Sequence, residues 1–239
     1  MPLMFDWTMI IILPPFLLAL WAQNKVRVNY SKYSQVASRR GYTGAQVAAE
    51  LLRLNGINDV KITRSQGELS DHYNPGNKTV GLSAGVHDSI SLSALSIAAH
   101  EVGHAIQHAK GYGPLTMRSA IIPLANIGSG AGIWMFMIGM ILPMFMGMHS
   151  PFADALMIAG MLFFCGAVAF QLVTLPVEFN ASSRAMEMLQ THGFLDKNEV
   201  APAKKVLDAA ALTYVAAAAT ALAQLIRLLV IFSRSRERR

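Results

Sequence analysis

Two histidines four residues apart, with a glutamate directly after the first, are the residues of this chain best suited to chemistry: His100-Glu101-Val102-Gly103-His104. On a helix, positions four apart share a face and lie about 6 Å apart. Two imidazoles so placed can reach one metal ion. Zinc suits them, because it takes neutral imidazole nitrogen and keeps a position open for water in catalytic sites. The carboxylate of Glu101 can reach that water. The ion lowers the water's pKa towards about 7, and the glutamate takes its proton. The reaction expected is hydrolysis of a peptide bond. Five residues alone match by chance often enough that context must decide. Here Ala98-Ala99 before and Ala105-Ile106 after read as a buried helix, where unpaired imidazoles and a carboxylate would be costly.

A catalytic zinc needs a third protein ligand. No further His or Cys is well placed, so a carboxylate is the default. Glu178, in Pro176-Val177-Glu178-Phe179-Asn180-Ala181-Ser182, is the leading candidate, and Glu187 is its rival. Ala181, Ser182 and Ala185 are small enough to let their helix approach the metal helix closely. His108 lies a turn beyond His104, but His100 and His108 are about 12 Å apart along the axis, too far to share one ion. It also misses the spacing of zincins whose third histidine lies six after the second. His108 therefore reads as a supporting or surface residue.

The elements that must position these groups begin with the composition. Of 239 residues, 53% are hydrophobic and 14% charged, against a usual charged share of about 25%. Membrane spans are expected. The single cysteine, Cys165, excludes a disulfide framework and a cysteine-based zinc site within one chain. The net charge is +6, yet the basic residues are spread out apart from Arg234, Arg236, Arg238 and Arg239. That tail suits lipid headgroups, and no nucleic-acid motif accompanies it.

Four apolar runs stand out: Thr8 to Ala22, Ile121 to Met148, Ala155 to Leu175 and Ala209 to Phe232. The first has Asp6 and no basic residue before it, so it reads as an uncleaved anchor rather than a signal peptide. The second and third are uncharged, long enough for a bilayer, and joined by a turn at His149 to Asp154. The fourth is Ala-rich and contains Arg227, which leaves its crossing open. The divisions expected are an anchor (1–22), an α+β peptidase domain (23–120), a transmembrane hairpin (121–176), a helix with the third ligand (177–208) and a C-terminal apolar helix with a basic tail (209–239). Because the hairpin crosses twice, both polar islands must face one side. Lys25, Arg27, Lys32, Lys110 and Arg118 flank the larger island and place that side in the cytoplasm. The Arg-rich tail argues against this if the fourth run also crosses.

Within the larger island, Thr43 and Gln46 form a capping box for a helix that Asn55-Gly56 ends. Asp59 to Thr63 alternates like a strand. Leu69 to Tyr73 and Thr79 to Leu82 flank Asn74-Pro75-Gly76-Asn77, so a hairpin is expected. The metal helix should be capped between Asp88 and Ser91 and end at Lys110-Gly111.

Taken together, Asp71-His72-Tyr73-Asn74-Pro75, Ala98 to Gln107, Leu175 to Ser182 and Val206 to Ala217 resemble the YugP-like family of bacterial membrane zinc metallopeptidases. The arrangement is also similar to HtpX and CAAX-processing peptidases, where a membrane hairpin separates HExxH from a glutamate ligand. The resemblance implies one Zn2+ per chain on His100, His104 and Glu178, with Glu101 as base. It implies a mainly α membrane protein: about four transmembrane helices plus a small α+β zincin-like domain with an HExxH helix and a short β hairpin or sheet. It further implies an integral membrane zinc endopeptidase of the bacterial cell (inner) membrane, acting on peptides or membrane proteins in quality control or processing. Where the HtpX type carries an aspartate four residues after the ligand glutamate, this chain has Ser182, whose hydroxyl can still accept a ligand histidine's N–H. His72 and Tyr73 either stabilise the oxyanion of the tetrahedral intermediate or form the polar edge of the hairpin. A zinc-binding membrane protein that acts through partners without cleaving them is the alternative to an enzyme. A transporter is disfavoured, because the hairpin spans carry no charge to line a path.

Overall fold

The computed structural model describes residues 7–146 and 151–237. Asp6 before the first run, Met148 at the end of the second, His149 and Ser150 of the expected turn, and Arg238 and Arg239 lie outside them.

The element order is α1 (Met9–Ser34), α2 (Gly44–Leu54), β1 (Lys61–Ser65), β2 (His72–Asn74), β3 (Thr79–Ser83), α3 (Ala84–His87) and α4 (Leu92–Ala109). Then come α5 (Gly113–Ile127), a π-helical turn (Gly128–Gly132), α6 (Ile133–Met146), α7 (Pro151–Thr191) and α8 (Lys197–Glu237). The chain is mainly α with one small three-stranded sheet. Four helical stretches are long and apolar enough to cross a membrane: Met9–Ser34, Gly113–Pro143, Pro151–Thr191 and Lys197–Arg236. The first run does not leave its helix at Ala22. Nothing between Gln23 and Ser34 breaks a helix, and α1 continues through these polar residues. Likewise α7 passes through Pro176, although a proline forfeits one ladder hydrogen bond. The division expected at 176/177 thus falls inside one helix.

The chain forms two compact units, one of Met1–Leu20, Met117–Thr174 and Tyr214–Arg239, the other of Trp21–Thr116 and Leu175–Thr213. We call them the span unit and the site unit.

In the span unit, glycines set the packing. A Cβ on Gly132 would lie 2.8 Å from the Gly160 carbonyl oxygen, and one on Gly139 would lie 2.6 Å from that of Ala153. Such backbone approach is how helices associate in lipid. Phe136, Met157, Phe164 and Leu228 fill the space beside the seam. Arg227, in the apolar part of α8, donates from Nε to Thr8 Oγ1 at 3.1 Å, and the Arg234 guanidinium lies 4.2 Å from the Trp7 ring centroid.

In the site unit, α2 opens with the expected box: Thr43 Oγ1 accepts from Gln46 N at 3.2 Å, and Gln46 Oε1 accepts from Thr43 N at 2.9 Å. Its apolar face, Val47, Ala48, Leu51 and Leu52, joins one core with Val80 and Leu82 of β3 and Leu95, Ala98 and Val102 of α4. The sheet order is β1-β3-β2, with β1 parallel and β2 antiparallel to β3. The first strand sits two residues later than its alternation suggests, because Lys61 to Ser65 pair with Thr79 to Ser83. At the hairpin turn, Asn74 Oδ1 accepts from Gly76 N at 2.9 Å.

Candidate metal centre

The helix α4 is started by Ser91, whose hydroxyl accepts from Ala94 N at 3.2 Å. From Leu92 to Gln107 it is buried along most of its length. This burial places His104 and Glu101 among apolar neighbours, each less than a tenth exposed. Gly103 faces α7. A Cβ there would meet the Ala181 carbonyl oxygen at 2.7 Å, so glycine is what lets the two helices close.

That approach brings Glu178 of α7 to both histidines. Its Oε2 lies 3.3 Å from His100 Nε2 and 3.5 Å from His104 Nε2. The rings stand edge to face, with centroids 4.7 Å apart. The three ligand atoms all lie within 4.8 Å of one another. The remaining ring nitrogens point to neutral groups: His104 Nδ1 to Gln107 Oε1 at 3.0 Å, His100 Nδ1 to Ser182 Oγ at 3.2 Å. A carbonyl oxygen can only accept, so His104 Nδ1 carries a proton and its Nε2 faces Glu178. Two imidazole nitrogens and one carboxylate oxygen, converging on one point, are the donor set of a three-ligand zinc site.

Electrostatics agree with the geometry. Burial alone would lower the His104 imidazole pKa, but the carboxylates of Glu178 and Glu101 outweigh it and raise the value. Burial pushes the Glu101 carboxyl up, with Glu178 and Asp71 adding to the effect and the two histidines opposing it.

The sequence candidates His72, Tyr73 and His108 make hydrogen bonds of their own. His72 donates from Nδ1 to the Ser70 carbonyl at 2.8 Å, and the Tyr73 hydroxyl meets His108 Nδ1 at 2.8 Å. Neither bond is directed at the three converging atoms. Glu187 is exposed and lines an open groove of about 680 Å³ with Phe179, Ser182, Met186, Lys204 and Leu207.

Sequence reasoning gives no role to Gln107 or Asn180. Gln107 is fully buried, and its Nε2 donates to Val177 O at 2.8 Å and Asn180 Oδ1 at 3.0 Å. Arg184 Nε donates to the same Asn180 oxygen at 2.8 Å. A polar residue three after a ligand-type histidine, on the face that buries it, is the signal that points to Gln107.

Comparison with known proteins now places the chain. Residues 8–233 match the family described as "Putative neutral zinc metallopeptidase". The chain is 46% identical over 220 residues to the "Putative membrane protease YugP" of Bacillus subtilis (strain 168), a match covering 92% of this chain and 94% of that protein. No solved structure matches it. The chain belongs to this zinc metallopeptidase family.

Proposed function

From that membership, we propose that the chain is an integral membrane zinc endopeptidase. In this reading His100, His104 and Glu178 hold the ion and Glu101 is the base. The observation that carries it is the convergence of His100 Nε2, His104 Nε2 and Glu178 Oε2 from two helices far apart in sequence. Zinc bound there would supply a Lewis acid for the peptide carbonyl and lower the pKa of a water. The Glu101 carboxylate accepts a proton from the attacking water and returns it to the leaving amine nitrogen. Burial raises its pKa, which makes the carboxylate a stronger proton acceptor. Ser182 orients the His100 ring, and apolar neighbours exclude bulk water from His104. The groove beside Ser182 gives an extended peptide or an unfolded stretch of a membrane protein a path to the site.

The test is zinc content together with casein cleavage on protein purified in detergent. About one zinc per chain is expected. A chelator should abolish cleavage, and added zinc should restore it. Metal-free protein that cleaves casein at the full rate would sink the reading.

We place the active site on the cytoplasmic face of a bacterial membrane. Lys25, Arg27, Lys32, Lys110 and Arg118 support this through the positive-inside rule. The Arg-rich tail opposes this if the fourth run crosses; within it, the Arg234 guanidinium lies over the Trp7 ring. With Cys165 replaced by alanine, a cysteine at Ser150 should react with an impermeant thiol reagent in intact cells. One at the exposed Gln66 should not; the reverse pattern inverts the topology.

A further inference from the structure

We infer that Gln107 is a positioning residue that fixes the His104 ring and ties it to the turn of α7 bearing Glu178. The inference rests on the metal-site reading above and adds a residue to which that reading assigned no ligand or proton.

The argument starts from the amide. Both hydrogens of Gln107 Nε2 are directed at oxygens, one of them the Val177 backbone carbonyl, which cannot donate. That settles the amide's orientation and turns Oε1 towards His104 Nδ1, 3.0 Å away. Oε1 in turn accepts only a proton, so the ring keeps its hydrogen on Nδ1 and presents Nε2 inwards. Val177 is the residue directly before Glu178. One buried side chain therefore holds the second histidine by its outer nitrogen and the third ligand by its neighbouring backbone. Asn180 completes the hold: its Oδ1 receives Gln107 Nε2 and Arg184 Nε together, so the oxygen is kept facing α4. The two helices share no covalent link near the site. Their approach at the site rests on Gly103, on the His100–Ser182 contact and on this amide.

A residue that only packs would be replaceable by an apolar side chain of equal size. A residue that orients a ligand would not, and outer partners of metal-bound histidines typically change metal affinity 10- to 100-fold. Two variants separate these cases. Gln107→Met keeps the volume and removes every hydrogen bond. Gln107→Glu restores an acceptor to His104 Nδ1 but loses both donations to α7. Zinc affinity is read by chelator competition on the full chain in detergent, and the His104 Nδ1–H resonance is followed in zinc-loaded protein carrying 15N-histidine. Gln107→Met should weaken zinc 10- to 100-fold and lose the protected ring N–H signal. Gln107→Glu should regain that signal and part of the affinity. Asn180→Leu, which removes one of the two oxygens that hold the amide and leaves Val177 in place, should move both readouts the same way by a smaller factor. If the parent binds zinc and Gln107→Met binds it equally well, the inference falls while the metal site stands. If Gln107→Glu shows no more recovery than Gln107→Met, the role is a helix tie alone and the inference also falls. A parent chain that binds no zinc overturns both.

Discussion

In the span unit, Gly132 and Gly160 bring helix backbones together, whereas in the site unit α2 and α4 meet through Val47, Leu51, Leu95 and Val102. A bilayer around the span unit, as proposed above, would account for the difference. In water, apolar side chains gain about 25 cal/mol for each Å² they bury, so large aliphatic residues drive association. Lipid tails are as apolar as leucine, so helices there gain chiefly from close fit and a few polar contacts such as Arg227 with Thr8. The site unit accordingly concentrates hydrogen bonds around His100, His104 and Gln107, where each can set geometry. Changes in the site unit should move zinc and turnover, and changes in the span unit should move stability alone.

The largest expected effect tests the first half of that contrast. His104→Ala should bring zinc below stoichiometry and casein cleavage to background, measured by metal analysis and a fluorescent peptide release assay; His100→Ala should match it. Full zinc retention in both variants removes the site.

Next comes Glu101→Gln, which should keep zinc while turnover falls about 10²- to 10⁴-fold, the range for a lost general base. Unchanged turnover would show that another group moves the proton.

A matched pair bears directly on the comparison. Gly103→Leu and Gly132→Leu both overpack a helix contact and should each cost about 1–3 kcal/mol in thermal or denaturant unfolding. Only Gly103→Leu should also weaken zinc, because it pushes α7 and Glu178 away from α4. Equal zinc loss in both variants would erase the distinction between the units.

The smallest effects are single hydrogen bonds. Ser182→Ala should weaken zinc by up to about 10-fold through loss of the His100 contact, without shifting the unfolding midpoint much. Thr8→Val should do the opposite, costing about 1 kcal/mol of stability with zinc affinity unchanged.

Local chemistry was the legible part of the molecule. The capping box at Thr43 and Gln46, the Ser91 cap and the Asn74 turn all depend on residues within four positions, and all appear in the structure. The four-residue spacing of His100 and His104 likewise needs nothing beyond a helix, and the structure brings Glu178 to both. Less legible was whatever depended on distant partners. The parallel pairing of β1 with β3 shifted the strand's start. Gln107 reads as an ordinary helix residue until Val177 and Asn180 arrive from another element. The passage of α7 through Pro176 escapes the usual punctuation because packing can offset a proline that isolated propensity counts as a stop.

Neither ring is backed by an acid, since its outer nitrogen meets a hydroxyl or an amide. Were a divalent ion bound there as proposed, two neutral imidazoles and one carboxylate would leave the first sphere a formal surplus of one positive charge. An aspartate behind either ring would add a negative charge beside it. Small anions should therefore compete at this centre: carboxylates, hydroxamates and the new C-terminus of a cleaved peptide. Product inhibition by acids is the signature to expect of a metal site braced by uncharged groups.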